Sequence, residues 1–203
     1  MSAPAHTTGV LLTNLGTPDA PTPSAVRRYL AEFLWDPRVI EMNRALWWLI
    51  LHGVILRVRP RISAAAYRTV WTDEGSPLLV WLKRQANALT QCPYLDIPIS
   101  IGMRYGNPSL ESGLSALESA GVQRVLVLPL YPQYSATTTG STFDAVAHIL
   151  TARRRVPDIT FVSGYHDHPA YIHALAESIR RAWQEQEPAH QLLLSFHGLP
   201  RRY

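Results

Sequence analysis

The chain has 203 residues, 47% of them apolar and only 17% charged, with a formal charge of +4. That balance can bury a substantial core and excludes a disordered chain or a long charged coiled coil. Of 19 basic side chains only Lys83 is a lysine, and the arginines are scattered with no basic tail or stripe, which argues against a nucleic-acid partner. Arginine captures carboxylate or phosphate bidentately, but a GC-rich genome would give the same excess, and both readings stay open. A single cysteine, Cys92, excludes an intrachain disulfide and any Cys-clustered metal site, and it fits a reducing compartment.

The N-terminus, MSAPAHTTG, has no basic region followed by an apolar one, so no secretory signal is expected and the location is read as cytoplasmic. Val10–Leu15 (VLLTNL) is the first of five short apolar runs. A helix over Ser24–Leu34 follows, with Thr22 or Ser24 as N-cap and prolines confined to its entry. Asn43–Trp71 reads as two helices broken near Pro60. Within it, Ala45–Leu56 (ALWWLILHGVIL) is the longest strongly apolar stretch, too short to span a bilayer. Three readings of that stretch stay open: a core helix, the lip of an apolar ligand cleft, or a peripheral membrane contact. His52 on it reads as a tolerated histidine rather than a ligand.

Ser76 is the expected N-cap of a helix over Pro77–Leu89. Strands are then expected at Ile97–Met103, Val125–Tyr131, Ile159–Tyr165 and Leu192–Gly198, with helices at Leu110–Ala120, Thr142–Arg154 and Tyr171–Gln186. The runs are nearly continuous rather than alternating, as in parallel strands covered by helices on both faces. The fold class is therefore α/β, a doubly wound parallel sheet with right-handed crossovers. At about 150 residues per domain the length is about one and a third domains. The expected division is a complete first domain over residues 1–156 and the start of a second over 157–203.

In such sheets ligands bind beyond the carboxyl ends of the strands. The loop after the first strand, NLGTPD, is not a G-x-G-x-x-G, and no P-loop occurs. The loop YPQYSATTTGS carries Ser135, Thr137, Thr138, Thr139 and Ser141, which read as an anion cradle at a helix N-terminus or as helix caps. His166, Asp167 and His168 read as metal ligands or a solvated turn. His197 follows LLLSF at an expected strand end, where a neutral imidazole accepts a proton or binds a metal, or simply hydrogen-bonds. Ser195 lies in S-F-H-G, not G-x-S-x-G, and is no esterase nucleophile.

Taken together, GVLLTNLGTPDAPTPSAVRRYLAEFLWDPRVIE, GSPL, GMRYGNPSLESGL, VLPLYPQYSATTTGS and LLLSFHGLPRRY resemble, in order and along the whole chain, the ferrochelatase family in its protoporphyrin-type, Gram-negative bacterial form. The resemblance implies a chelatase-like fold and a lyase that inserts ferrous iron into protoporphyrin IX to give protoheme. It assigns His197 as the active-site histidine, a metal ligand or acceptor of a pyrrole proton or both. It assigns Arg104, Tyr105, Tyr131, Thr137 and Tyr165 to the porphyrin cleft. It also implies no permanently bound cofactor, iron being a substrate. Ala136 stands where animal-type relatives carry a cluster-ligand cysteine, so no iron–sulfur cluster is expected. Leu15 stands where coproporphyrin-type relatives carry tyrosine. Family members continue into most of a second domain that supplies a glutamate opposite the histidine, so residue 203 reads as a C-terminal truncation point. A cobalt chelatase of the same fold and an inactive porphyrin-binding fragment are the alternatives.

Overall fold

In the computed structural model, which describes residues 8–185 and 190–203, the first apolar run becomes the central strand β1 (Thr8–Thr17). Parallel to it lie β2 (Ile99–Gly106) on one side and β3 (Arg124–Pro129) on the other, and β4 (Asp158–Phe161) pairs with β3. The four-stranded order among the described residues is β2-β1-β3-β4. Side chains alternate across β1 and serve two cores, as strand geometry demands. Leu11 packs with Leu110, Leu114 and Leu117 of α5 (Leu110–Ser119) and Val146 of α6 (Ser141–Thr151). Val10 and Leu12 pack with Leu82 of α4 (Pro77–Thr90) and Met103. The covered sheet and its parallel order agree with the expected fold class.

A third core forms beyond the strand ends, where Tyr105 meets α1 (Pro23–Trp35), α2 (Arg44–Ile50) and α3 (Leu56–Val70). Thr22 is the N-cap of α1, its hydroxyl accepting from the Ala25 amide, and Pro23 occupies the first position, where a missing N–H costs nothing. Ser76 precedes α4 as expected but does not cap it with its side chain; its hydroxyl accepts from Thr17 at 2.8 Å, tying the helix entry to the end of β1.

Two expectations need correction. The helical segment is not broken near Pro60, which sits inside α3; the irregularity is a π turn at Leu51–Ile55. Gly53, the weakest helix former in that stretch, lies in the turn with open space around its α-carbon. Second, Leu192–Gly198 forms no strand, and Leu192, Leu193, Leu194 and Phe196 are exposed. A strand needs a neighbour to complete its backbone hydrogen bonds, and no described residue pairs with this segment. The division expected at residue 156 falls between α6 and β4, and the sheet continues across it. Beyond β4, α7 (Pro169–Glu185) buries none of its residues.

Candidate functional site

The carboxyl ends of β1 and β2 are drawn together at Gly16 and Tyr105, which are register partners. Gly16 has φ of +119°, and a Cβ there would lie 1.9 Å from the Tyr105 carbonyl oxygen, so only glycine fits this approach. It brings the Arg104–Tyr105 pair under the end of α1. There the two side chains meet Asp36, the residue that closes α1, and Ser141, which opens α6.

Asp36 is the hub. Its Oδ2 accepts from Arg104 Nη2 at 2.6 Å, Tyr105 Oη at 2.7 Å and Ser141 Oγ at 2.5 Å, and its Oδ1 accepts from the Arg38 amide at 2.7 Å. Arg104 Nε donates to Ser141 Oγ at 2.6 Å and to its carbonyl at 3.0 Å, and the guanidinium lies 4.3 Å from the Tyr105 ring centre. Only 3% of the Asp36 side chain is exposed. Burial alone would raise its pKa, but the Ser141 and Tyr105 hydroxyls, the Arg38 amide and the Arg104 charge outweigh it and hold the carboxyl below its ordinary range. Burial pushes the Tyr105 phenol up, against the pull of Ser141 and Arg104. It also pushes up Tyr131 and Tyr165. These tyrosines are therefore neutral hydroxyls at physiological pH, able to donate hydrogen bonds rather than act as bases.

After β3, Tyr131 lies within reach of the Arg104 charge, and its buried hydroxyl has no hydrogen-bond partner among the described residues. The following loop tightens into a π turn, Ala136–Gly140, capped by Ser135. Ser135 Oγ accepts from the Thr137 amide at 3.3 Å and lies 2.9 Å from Thr137 Oγ1; Thr142 Oγ1 bonds the Thr138 carbonyl. Of these hydroxyls that of Ser135 caps the turn, Ser141 bonds Asp36, and Thr139 is buried with its hydroxyl unpartnered among the described residues. Across the turn, Arg38 forks onto Asp144 at 2.5 and 2.9 Å.

Not every candidate joins this cluster. Tyr165 is half-buried beyond β4; its amide donates to the Pro132 carbonyl, and its ring stands edge-on to Tyr171 at 5.4 Å. His168 Nδ1 accepts from the Ala170 amide at 3.2 Å, which fits the solvated-turn reading. Among the described residues no group of three or more His, Cys, Asp or Glu side chains is placed to hold a metal ion. His197 is exposed, with Nδ1 2.8 Å from the Gly198 carbonyl oxygen. A carbonyl only accepts, so in a neutral ring Nδ1 carries the proton there and Nε2 keeps its lone pair.

The apolar stretch Ala45–Leu56 divides by face. Trp47 is buried, its indole donating to the Leu34 carbonyl at 2.7 Å, and Leu51 and Leu56 join the same core. Leu46, Trp48, Leu49 and Val54 are exposed, and His52 stacks beside Trp48 with ring centres 5.0 Å apart. Among the described residues no helix is long and apolar enough to cross a membrane.

Sequence reasoning missed Asp36 and gave Ser141 only a loop role. The one available signal was an acidic residue set between aromatic and proline in F-L-W-D-P, where a helix ends inside apolar surroundings.

Comparison with known proteins adds a second line. The family model described as Ferrochelatase matches residues 7–203. Curated relatives include a ferrochelatase of Thioalkalivibrio sulfidiphilus, 58% identical over 199 residues, and one of Marinobacter nauticus, 55% identical over 199 residues; each alignment covers 96% of this chain and 54% of the relative. Ferrochelatase 1 of Shewanella oneidensis is 51% identical over 207 residues, covering 100% of this chain and 62% of the relative. The chain thus spans little more than half the length of the curated relatives it matches. A match along essentially its whole length, with the strand-end motifs in order, shows that the chain belongs to the ferrochelatase family.

Proposed function

We propose that this chain forms the first part of a lyase that inserts ferrous iron into protoporphyrin IX to give protoheme. The observation that carries the reading is the family match over residues 7–203, with the NLGTPD, RYGNP and YPQYS motifs at the carboxyl ends of the parallel strands β1, β2 and β3. This rim offers the Arg104 guanidinium and neutral hydroxyls beside an apolar lip on α2, a chemistry suited to a flat apolar macrocycle with anionic side groups. Arg104, Tyr105, Tyr131, Thr137 and Tyr165 are the proposed porphyrin contacts.

Insertion of a divalent metal displaces two pyrrole N–H protons. His197 is the proposed acceptor of one of them, or the metal's ligand, because a neutral imidazole keeps a free lone pair near pH 7. Iron enters as substrate. The further length of the relatives corresponds in this reading to a second similar domain into which residues 157–203 lead. The proposed location is cytoplasmic, with a peripheral membrane contact through Ala45–Leu56.

An iron-insertion assay on the complete protein tests the reading, with cobalt run alongside to separate a cobalt chelatase. His197→Ala abolishes insertion while the thermal melt is unchanged; near-normal activity in that variant would remove His197 from the chemistry. The exposure of His197 favours a second outcome for the 203-residue chain alone, porphyrin binding without turnover. A Soret titration paired with zinc insertion reads it.

A further inference from the structure

We infer that Asp36 is a positioning residue for the porphyrin cleft, holding Arg104 and Tyr105 in place through one buried carboxylate; this rests on the proposed chelatase reading. Three elements remote in sequence converge on it: the end of α1, the end of β2 and the start of α6. Oδ2 alone takes three donors, from Arg104, Tyr105 and Ser141. Ser141 closes the ring by accepting from Arg104 Nε, so the guanidinium is fixed at two of its nitrogens and sits over the Tyr105 ring, 4.3 Å from its centre. Neither side chain can turn without breaking a charge-assisted bond in a nearly dry setting, where such bonds are strongest. The carboxylate's remaining oxygen is held by the Arg38 amide, which fixes its plane. Asp36 therefore sets the orientation of the cleft's cation and of a buried phenol while lying behind them.

Asparagine has the same shape but one oxygen instead of two. If that oxygen faces the three donors, its amide group faces the Arg38 N–H; turned over, it faces Arg104, Tyr105 and Ser141. Either way the set loses its charge and a matched partner.

The test compares wild type, Asp36→Asn and Asp36→Glu in the complete protein, with separate KM values for porphyrin and metal and a Soret titration of porphyrin binding. Misplaced binding groups cost about tenfold or more. Asp36→Asn is expected to raise porphyrin KM and Kd by about that factor with metal KM unchanged, and Asp36→Glu to restore part of the loss. Ser141→Ala, a milder change to the same set, is expected to give the same split and serves where Asp36→Asn does not fold. Lowered melting temperatures with an unchanged porphyrin KM in folded variants would overturn the inference and leave Asp36 a purely structural group. Wild type that neither binds porphyrin nor inserts metal would overturn the chelatase reading itself, and the inference with it.

Discussion

A carboxylate buried as deeply as Asp36 persists as a charge because Arg104 and three further donors reach it. Removing one partner of a buried ion pair strands the other, which typically costs about 3–5 kcal/mol. Arg104→Met should therefore lower the urea-unfolding free energy by roughly that amount, far more than loss of an exposed pair such as Arg28–Asp19, which contributes about 1 kcal/mol or less. The pH dependence has a definite sign. The Asp36 pKa is depressed in the folded state, so its contribution is complete above the unfolded carboxyl value of about 3.9 and is lost as pH falls through the folded value. Urea midpoints measured from pH 7 down to pH 3 should fall less steeply in Asp36→Asn than in wild type; parallel curves would contradict this. Arg104 and Tyr105 were singled out in the sequence because the family's GMRYGNP pattern is a local one that a resemblance carries. Asp36 was not, because its partners lie 68, 69 and 105 residues away and an acid at a helix end ordinarily faces water.

The strands that formed and the one that did not carry the same apolar pattern, and the difference lies in their neighbours. VLLTNL lies between two strands and under helices on both faces, whereas LLLSFHG has no strand beside it among the described residues. Periodicity reports what a segment would bury, not whether a partner is there to bury it against. Helix α5 shows the same limit at Gly113. Sequence logic says that glycine inside a helix is worth about 1 kcal/mol less than alanine, so Gly113→Ala would be stabilising. Packing reverses the sign: a Cβ there would meet the Ile101 carbonyl oxygen and Leu11 Cδ1, each at 2.6 Å. One of these contacts is backbone in the sheet and cannot swing aside. Gly113→Ala is thus expected to destabilise by about 1–3 kcal/mol, read as a lower urea midpoint with unchanged slope. A midpoint equal to wild type or higher would mean that α5 can lift from β2 at no cost.

At the scale of the whole molecule, two groups of apolar side chains lie uncovered among the described residues. One runs along α2 and α3 through Leu46, Leu49, Val54, Val58 and Ile62, with Arg57, Arg59 and Arg61 exposed on the same helical segment. The other comprises Ile172, Leu175 and Trp183 on α7 and, further along the chain, Leu192–Leu194 and Phe196. Exposed apolar side chains grouped in this way mark contact surface, but the two faces differ in their charge. Arginines beside the first suit anionic headgroups, with the apolar side chains entering the interface. The second mixes acids and arginines on α7, at Glu177, Arg180, Arg181 and Glu185, which suits a protein surface better than a uniformly anionic one. The two faces should therefore separate in one experiment on the 203-residue chain. Leu49→Asp with Val58→Asp should weaken co-sedimentation with phosphatidylserine vesicles by at least about tenfold, the effect of placing two charges in an apolar interface, and leave self-association by analytical ultracentrifugation unchanged. Deleting residues 169–203 should do the reverse, because α7 buries none of its residues and its loss spares the sheet. Vesicle binding that survives the double substitution, or that disappears with the deletion, would assign the membrane contact to the wrong face.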